Sequence, residues 1–241
     1  MITTFSPGHV QLRGFSRSFQ GTSVLNRLDL DIPAGQFVAL LGESGSGKTT
    51  LLRALAGLDS DARSSGLAQA QGTTSVLFQD ARLLPWLSVI DNLMLGLDAA
   101  AARPAALQML QNVGLADKAD VWPATLSGGQ KQRASLARSL LREPHVLLAD
   151  EPFGALDALT RMRMHGLLRR LVERIRPTVI LVTHDVDESL LLADRILLLK
   201  DGKIAQDHAV PLGHPRSPAN PLFMQLRTTL LQSLGVVPEF S

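Results

Sequence analysis

The sequence predicts an α/β fold with a mainly parallel sheet and a helical subdomain inserted into it. Three observations carry this expectation. Short apolar runs at residues 36–41, 145–150 and 178–183 each lead into a glycine-rich or polar segment. Strand and helix patterns alternate towards both ends of the chain. Between them, from residue 80 to about 142, the sequence is Ala- and Leu-rich and contains no apolar strand.

The elements come in this order. Residues 28–33 (Leu-Asp-Leu-Asp-Ile-Pro) alternate as a half-buried strand does. Residues 36–41 form a short apolar strand that runs into a glycine-rich loop, and residues 48–58 read as a helix ended by Gly57. Residues 75–79 are another short strand. Within residues 161–176, Met164, Leu167, Leu168, Leu171 and Ile175 recur at helical spacing, with the arginines mostly between them. That pattern is a helix with a solvated basic face. Residues 195–200 and 203–206 flank Asp201-Gly202, a two-residue hairpin signal. Four prolines follow Val210, the last of them Pro221, and then comes one amphipathic helix. Residues 10–241 are therefore expected to form a single domain, with 80–142 as the helical insert and 211–241 as a short tail that nucleotide binding can do without.

Composition narrows the function. The chain has 241 residues, 45% apolar and 19% charged, which is ample for a core. It has no cysteine, which excludes disulfides, thiolate metal sites and cysteine nucleophiles. No apolar run approaches the ~20 residues that cross a bilayer, and residues 1–10 lack the basic and apolar regions of a leader. The expectation is a soluble chain that reaches a membrane only through a partner. Net charge is +2 with no basic tail, and no nucleic-acid partner is predicted.

Gly42, Glu43, Ser44, Gly45, Ser46, Gly47, Lys48 and Thr49 match the pattern G-x-x-x-x-G-K-[ST], between a predicted strand and a predicted helix. The glycines let successive N–H groups turn into one concavity, and the helix adds its positive end. Lys48 supplies charge to the β- and γ-phosphates, the Thr49 hydroxyl is a hard ligand for Mg²⁺, and Thr50 continues the cradle. By itself the loop specifies a nucleoside triphosphate and not what is done with it.

Two further strand ends carry reactive groups. The run 145–150 closes on Asp150 and Glu151. Asp150 is expected beside the phosphate loop, holding Mg²⁺, because α/β sheets place ligands at the C-terminal ends of their strands. Glu151 is expected to act as general base on the attacking water. The run 178–183 closes on His184, expected to hydrogen-bond both the γ-phosphate and that base. Gln79, after another short strand, is expected to coordinate Mg²⁺ and orient water.

Leu126-Ser127-Gly128-Gly129-Gln130 opens an Ala/Leu-rich helix. Ser127 reads as its N-cap beside two glycines, a second anion site at a helix N-terminus. One chain with two phosphate-binding elements implies a shared site. The expected solution is a head-to-tail homodimer in which this segment covers the other subunit's nucleotide.

With these motifs in this order, the chain resembles the ABC transporter ATPases over nearly its whole length. The resemblance implies the ABC ATPase fold: a P-loop NTPase core with a mainly parallel sheet, an N-terminal antiparallel β subdomain and the inserted helical subdomain. It implies ATP and Mg²⁺ as cofactors, Asp157 in a loop contacting the partner subunit, and Phe19 stacking on adenine, with Phe15 the competing aromatic. Residues 24–37, 78–86 and 88–92 resemble the ATP-binding subunits of bacterial importers for nitrate, taurine and aliphatic sulfonates, most closely the last. The implied partners are two integral membrane permease subunits, docking at Leu84, Pro85 and Trp86, and a periplasmic or extracellular solute-binding protein. The implied place is the cytoplasmic face of the bacterial cell membrane. Taurine or nitrate import is the alternative cargo, and an ABC ATPase of DNA repair or translation the alternative class. Those chains carry two cassettes or a long coiled-coil insert, and this one has neither.

Overall fold

The computed structural model describes residues 6–59 and 61–236. The central sheet has six strands: β3 (Phe37–Leu41), β5 (Thr74–Leu77), β6 (Val146–Asp150), β7 (Thr178–Val182), β8 (Arg195–Lys200) and β9 (Lys203–Ala209). Their spatial order is β5-β6-β7-β3-β8-β9. All neighbours are parallel except β8 and β9, which form an antiparallel hairpin at the edge. Its turn residues Asp201 and Gly202 both have positive φ, 50° and 69°, as this two-residue connection requires.

The core strands are apolar throughout because both faces of the sheet are covered. Val38, Leu40, Val146, Leu148, Ile180, Val182, Leu197 and Leu199 point to one side. There they pack on α1 (Lys48–Leu55) and on a second, antiparallel sheet of order β2-β1-β4. Phe37, Ala39, Leu41, Leu147, Ala149, Val179, Leu181, Ile196 and Leu198 point to the other side, among the helices α2 to α7.

The antiparallel sheet contains β1 (Val10–Phe19), β2 (Thr22–Ile32) and β4 (Arg63–Ala70). Only β2 announces itself by alternation. β4 reads Arg-Ser-Ser-Gly-Leu-Ala-Gln-Ala and is almost wholly exposed. Its strand character comes from the ladder with β1, from Val10 opposite Ala70 to Ser18 opposite Arg63. Backbone pairing of that kind leaves no side-chain pattern to read.

Between β5 and β6 lie α2 (Val89–Met94), α3 (Ala99–Asn112), two single 3₁₀ turns and α4 (Gly128–Leu141). Each helix begins with its own side-chain cap: Ser88, Asp98 and Ser127. α5 (Ala158–Ile175) buries the predicted stripe of Met164, Leu167, Leu168, Leu171 and Ile175, together with Val172. α6 (Val186–Leu192) comes after β7.

The C-terminal segment departs from expectation. α7 (Pro221–Ser233) is not a dispensable tail: Phe223 and Leu230 are fully buried in the main hydrophobic cluster. Arg216 reinforces the docking by donating to the carbonyls of Leu190 (2.7 Å) and Ala193 (2.5 Å). Arg227 pairs with Asp187 of α6 at 2.6 Å. The proline-rich stretch hides this packing, since it reads as a linker. Replacing Phe223 with Ala should cost about 3–5 kcal/mol of stability, the usual loss for emptying a closed aromatic site. Urea unfolding of the two proteins checks this, and truncation before α7 should be at least as damaging.

Candidate functional site

The parallel register sets the site. Leu77 lies opposite Ala149, Ala149 opposite Leu181, and Leu181 opposite Ala39. Strands β5, β6, β7 and β3 therefore end side by side. Gln79, Asp150, Glu151, His184 and the phosphate loop all leave the sheet along this one edge.

The loop of residues 42–49 joins β3 to α1. It tolerates no larger residue at its two closest approaches. A Cβ on Gly42 would lie 2.3 Å from the Leu199 carbonyl oxygen, and one on Gly47, at φ +103°, would lie 2.8 Å from the Leu25 side chain. Lys48 is buried inside the loop and donates to the carbonyls of Gly42 (2.8 Å) and Glu43 (2.7 Å). Burial holds its ammonium below the usual lysine range, against the opposing pull of Glu151 and then Asp150. The Ser46 hydroxyl is buried with no hydrogen-bond partner. Glu43, Ser44 and Gly45 are exposed at the loop's rim.

The Thr49 hydroxyl donates to Asp150 at 3.0 Å. Burial pushes the Asp150 carboxyl above its usual range; the Thr49 hydrogen bond opposes this and the Glu151 carboxylate adds to it. Glu151 has φ +43°, a strained conformation for a residue with a side chain. It is held there by its N–H to the Val182 carbonyl (2.9 Å) and by Gly154 N–H to its own carbonyl (3.2 Å). Its carboxylate meets His184 Nδ1 at 3.1 Å. Gln79 converges on the same turn: a Cβ on Gly154 would sit 3.4 Å from Gln79 Nε2 and 3.9 Å from Glu151 Oε2. Thr50 is half-buried in the first turn of α1.

These residues fit a bound triphosphate with a hard divalent cation. The loop leaves no room for side chains at Gly42 and Gly47, the Ser46 hydroxyl lacks a partner, and Thr49 and Asp150 offer two hard oxygens together.

Phe15 is buried in the core, whereas Phe19 ends β1 half-buried, with the Arg17 guanidinium 5.9 Å from its ring centre. Phe19 therefore keeps an accessible ring face, and Phe15 does not.

The remaining predicted residues are elsewhere. Ser127, Gly128, Gly129, Gln130 and Asp157 line a separate cavity of about 450 Å³ that contains no phosphate-loop residue. Ser127 and Gln130 form a reciprocal cap, Gln130 N–H to the Ser127 hydroxyl (3.3 Å) and Ser127 N–H to the Gln130 side chain (2.8 Å). Asp157 caps α5 by accepting from Thr160 N–H at 2.9 Å, and that bond, with the Thr160 hydroxyl, lowers its pKa. Arg133 and Arg163 make this cavity basic.

Sequence reasoning missed Gln132. It is buried on α4 and donates to the carbonyls of Phe78 (3.1 Å) and Pro152 (2.6 Å), the residues next to Gln79 and Glu151. Its position two residues after Gln130 was the only available signal, and a polar residue in a helix reads first as surface. Asn92 was likewise unread. Fully buried, it fixes the segment before α2 through the Leu84 N–H (2.7 Å) and the carbonyls of Leu84, Leu87 and Ser88. That segment leaves Trp86 67% exposed.

Gly42→Ala should abolish ATP binding while leaving the helical content intact, because the added methyl meets backbone rather than a movable side chain. Titration with a fluorescent ATP analogue, beside circular dichroism, checks both halves of that expectation.

Residues 25–154 match the ABC transporter family. The chain is 78% identical over 233 residues to the aliphatic sulfonates import ATP-binding protein SsuB of Delftia acidovorans, with 97% of each chain covered. It is 68% identical over 230 residues to SsuB 1 of Paracoccus denitrificans, described in the same words, with 95% of each covered. Among solved structures, it is similar to a dimeric ATP-binding cassette in a post-hydrolysis state bound to ADP and Pi, at 29% identity and a TM-score of 0.71, covering 85% of this chain and all of that one. A phosphate loop, an acidic strand end and a separate Ser-Gly-Gly cavity, together with these matches, establish that the chain belongs to the ABC transporter family as an ATP-binding, ATP-hydrolysing subunit.

Proposed function

We propose that two copies of this chain bind and hydrolyse ATP between them and so drive solute import through a membrane permease. The observation that carries the reading is the division of the site. The groups that hold and cleave a triphosphate are gathered on one sheet edge, whereas Ser127, Gly128, Gly129 and Asp157 face a different cavity of the same chain. Neither half is complete alone, and a head-to-tail pair completes both. Two exposed apolar side chains beside Asp157, Leu159 at 68% and Met162 at 70% exposure, suit burial against a second copy.

In this reading the loop N–H groups, with Ser46 and Thr50, cradle the phosphates, Lys48 neutralises their charge and Phe19 stacks on the adenine. Thr49, Asp150 and Gln79 would hold Mg²⁺, which when bound offsets charge on the β- and γ-phosphate oxygens. Glu151 takes the proton from the attacking water, a role worth ~10²–10⁴ in rate. His184 holds the carboxylate through the bond seen at 3.1 Å and contacts the γ-phosphate. The partner's Ser-Gly-Gly helix start supplies a second set of N–H donors. The expected unit of residues 10–241 includes α7, and its last five residues lie outside the described residues.

We infer further that Leu84, Pro85 and the exposed Trp86 receive a permease helix, held ready by Asn92. No helix among the described residues is long and apolar enough to cross a membrane. We infer peripheral attachment at the cytoplasmic face through two permease subunits, served by an extracytoplasmic binding protein; that the relatives are import ATP-binding proteins supports a role in import. The same relatives, at 78% and 68% identity, support aliphatic sulfonates as the cargo.

Glu151→Gln should lose hydrolysis and elute as an ATP-bound dimer on size exclusion; a monomer that hydrolyses normally would refute the base assignment. A deletion strain should fail to grow on alkanesulfonates as sole sulfur source and still grow on sulfate. Unimpaired growth on sulfonates removes the cargo assignment.

A further inference from the structure

A buried hydrogen-bonded pair of ionisable side chains joins two helices that begin at functional loops. His165 Nε2 of α5 meets Glu188 Oε1 of α6 at 2.7 Å, with only 12% and 4% of the two side chains exposed. Burying two ionisable groups is expensive, and an apolar pair of similar volume would usually serve stability as well or better. The position of this pair gives it another use.

Glu151 and His184 lie one and two residues beyond the ends of β6 and β7, past the last paired residues Asp150 and Val182, so the ladder does not reach the segments that follow them. The segment after Glu151 turns through Pro152 and Phe153 into α5; the segment after His184 becomes α6. His165 touches both. Its ring stands edge-on to Phe153, with 5.2 Å between centroids, two residues beyond Glu151. Its Nε2 holds Glu188, one helical turn beyond His184. The Glu188 N–H in turn bonds Asp185, the residue next to His184, at 3.0 Å. Arg161, one turn before His165, makes a parallel link: it lies 3.5 Å from Asp185 and donates to the Leu156 carbonyl at 3.0 Å, beside Asp157.

We propose that His165 is a positioning residue: through Phe153 on one side and Glu188 on the other it sets the approach of Glu151 to His184, and so governs the hydrolytic step without contributing to ATP binding. Because α5 starts at Asp157, the same ring relays the position of that loop to the reacting pair. The inference rests on the assignment of Glu151 and His184 as the hydrolytic pair.

The test compares His165→Ala, His165→Gln, Glu188→Met and Glu151→Gln in the purified chain, with ATPase rates normalised to ATP-binding sites. In His165→Ala, kcat should fall by about 10–100-fold, as small misplacements of reacting groups do, with KM for ATP changed by less than about twofold. His165→Gln, which keeps an N–H donor for Glu188, should recover most of the rate. His165→Ala placed in the Glu151→Gln background should still form the ATP-bound dimer. A purely structural role would lower the melting temperature and leave kcat per binding site unchanged, and that result overturns the proposal. So does His165→Gln being as slow as His165→Ala. If His165→Ala does not fold, Glu188→Met, which keeps the length of the side chain and removes the acceptor, is read in its place, and an unchanged kcat there is equally fatal. If Glu151→Gln has lost hydrolysis while His165→Ala runs at the parent rate, only the positioning role fails. If Glu151→Gln itself hydrolyses normally, the underlying catalytic assignment fails with it.

Discussion

The six-stranded sheet is covered on both faces, and this decides where polar chemistry can be. Along β3, β6, β7 and β8, alternate side chains enter two different hydrophobic clusters, so none of these strands can carry a charge in its interior. Reactive groups are confined to strand ends. Parallel pairing then brings those ends to one edge, and residues as distant in the chain as Thr49 and Asp150 come within 3.0 Å. The phosphate loop, the carboxylates and the histidine share a site because their strands share a register.

The sheet cannot hold the chain once it leaves. Each exit is therefore secured separately. Glu151 is kept in a left-handed conformation by hydrogen bonds to Val182 and Gly154. Gln132 reaches from α4 to the carbonyls beside both Gln79 and Glu151, so the helix that opens at Ser127 is tied directly to the hydrolytic edge. Arg138 of the same helix donates to the carbonyls of Ala81 and Arg82, extending that tie along the segment leading to Trp86. The helical insert is thus bonded directly to the turn that carries Glu151. α7 completes the arrangement, bonding α6 through Arg227 and Asp187.

The two halves of the site also differ in their electrostatics. On the sheet edge, desolvation lowers the pKa of buried Lys48 and raises that of half-buried Asp150. The cavity beside Ser127 is lined by two arginines, Arg133 and Arg163, and one carboxylate, Asp157.

Much of this was readable from the chain alone, for a definite reason. The phosphate loop, the acidic pair and the Ser-Gly-Gly segment are local: their chemistry depends on residues adjacent in sequence and on backbone conformations only glycine adopts freely. The buried strands are equally local, since full burial demands an unbroken apolar run. By contrast, β4 exists only because β1 pairs with it, and α7 belongs to the core only because Phe223 finds a closed site there. Gln132, Asn92, His165 and Glu188 look like ordinary polar residues of helices until packing buries them against partners up to 54 residues away. The sequence by itself determined the motifs proposed to act on a triphosphate and the strands that carry them. The tertiary structure alone decided what holds those groups at working distance, because hydrogen bonds across long separations leave no pattern in a linear chain.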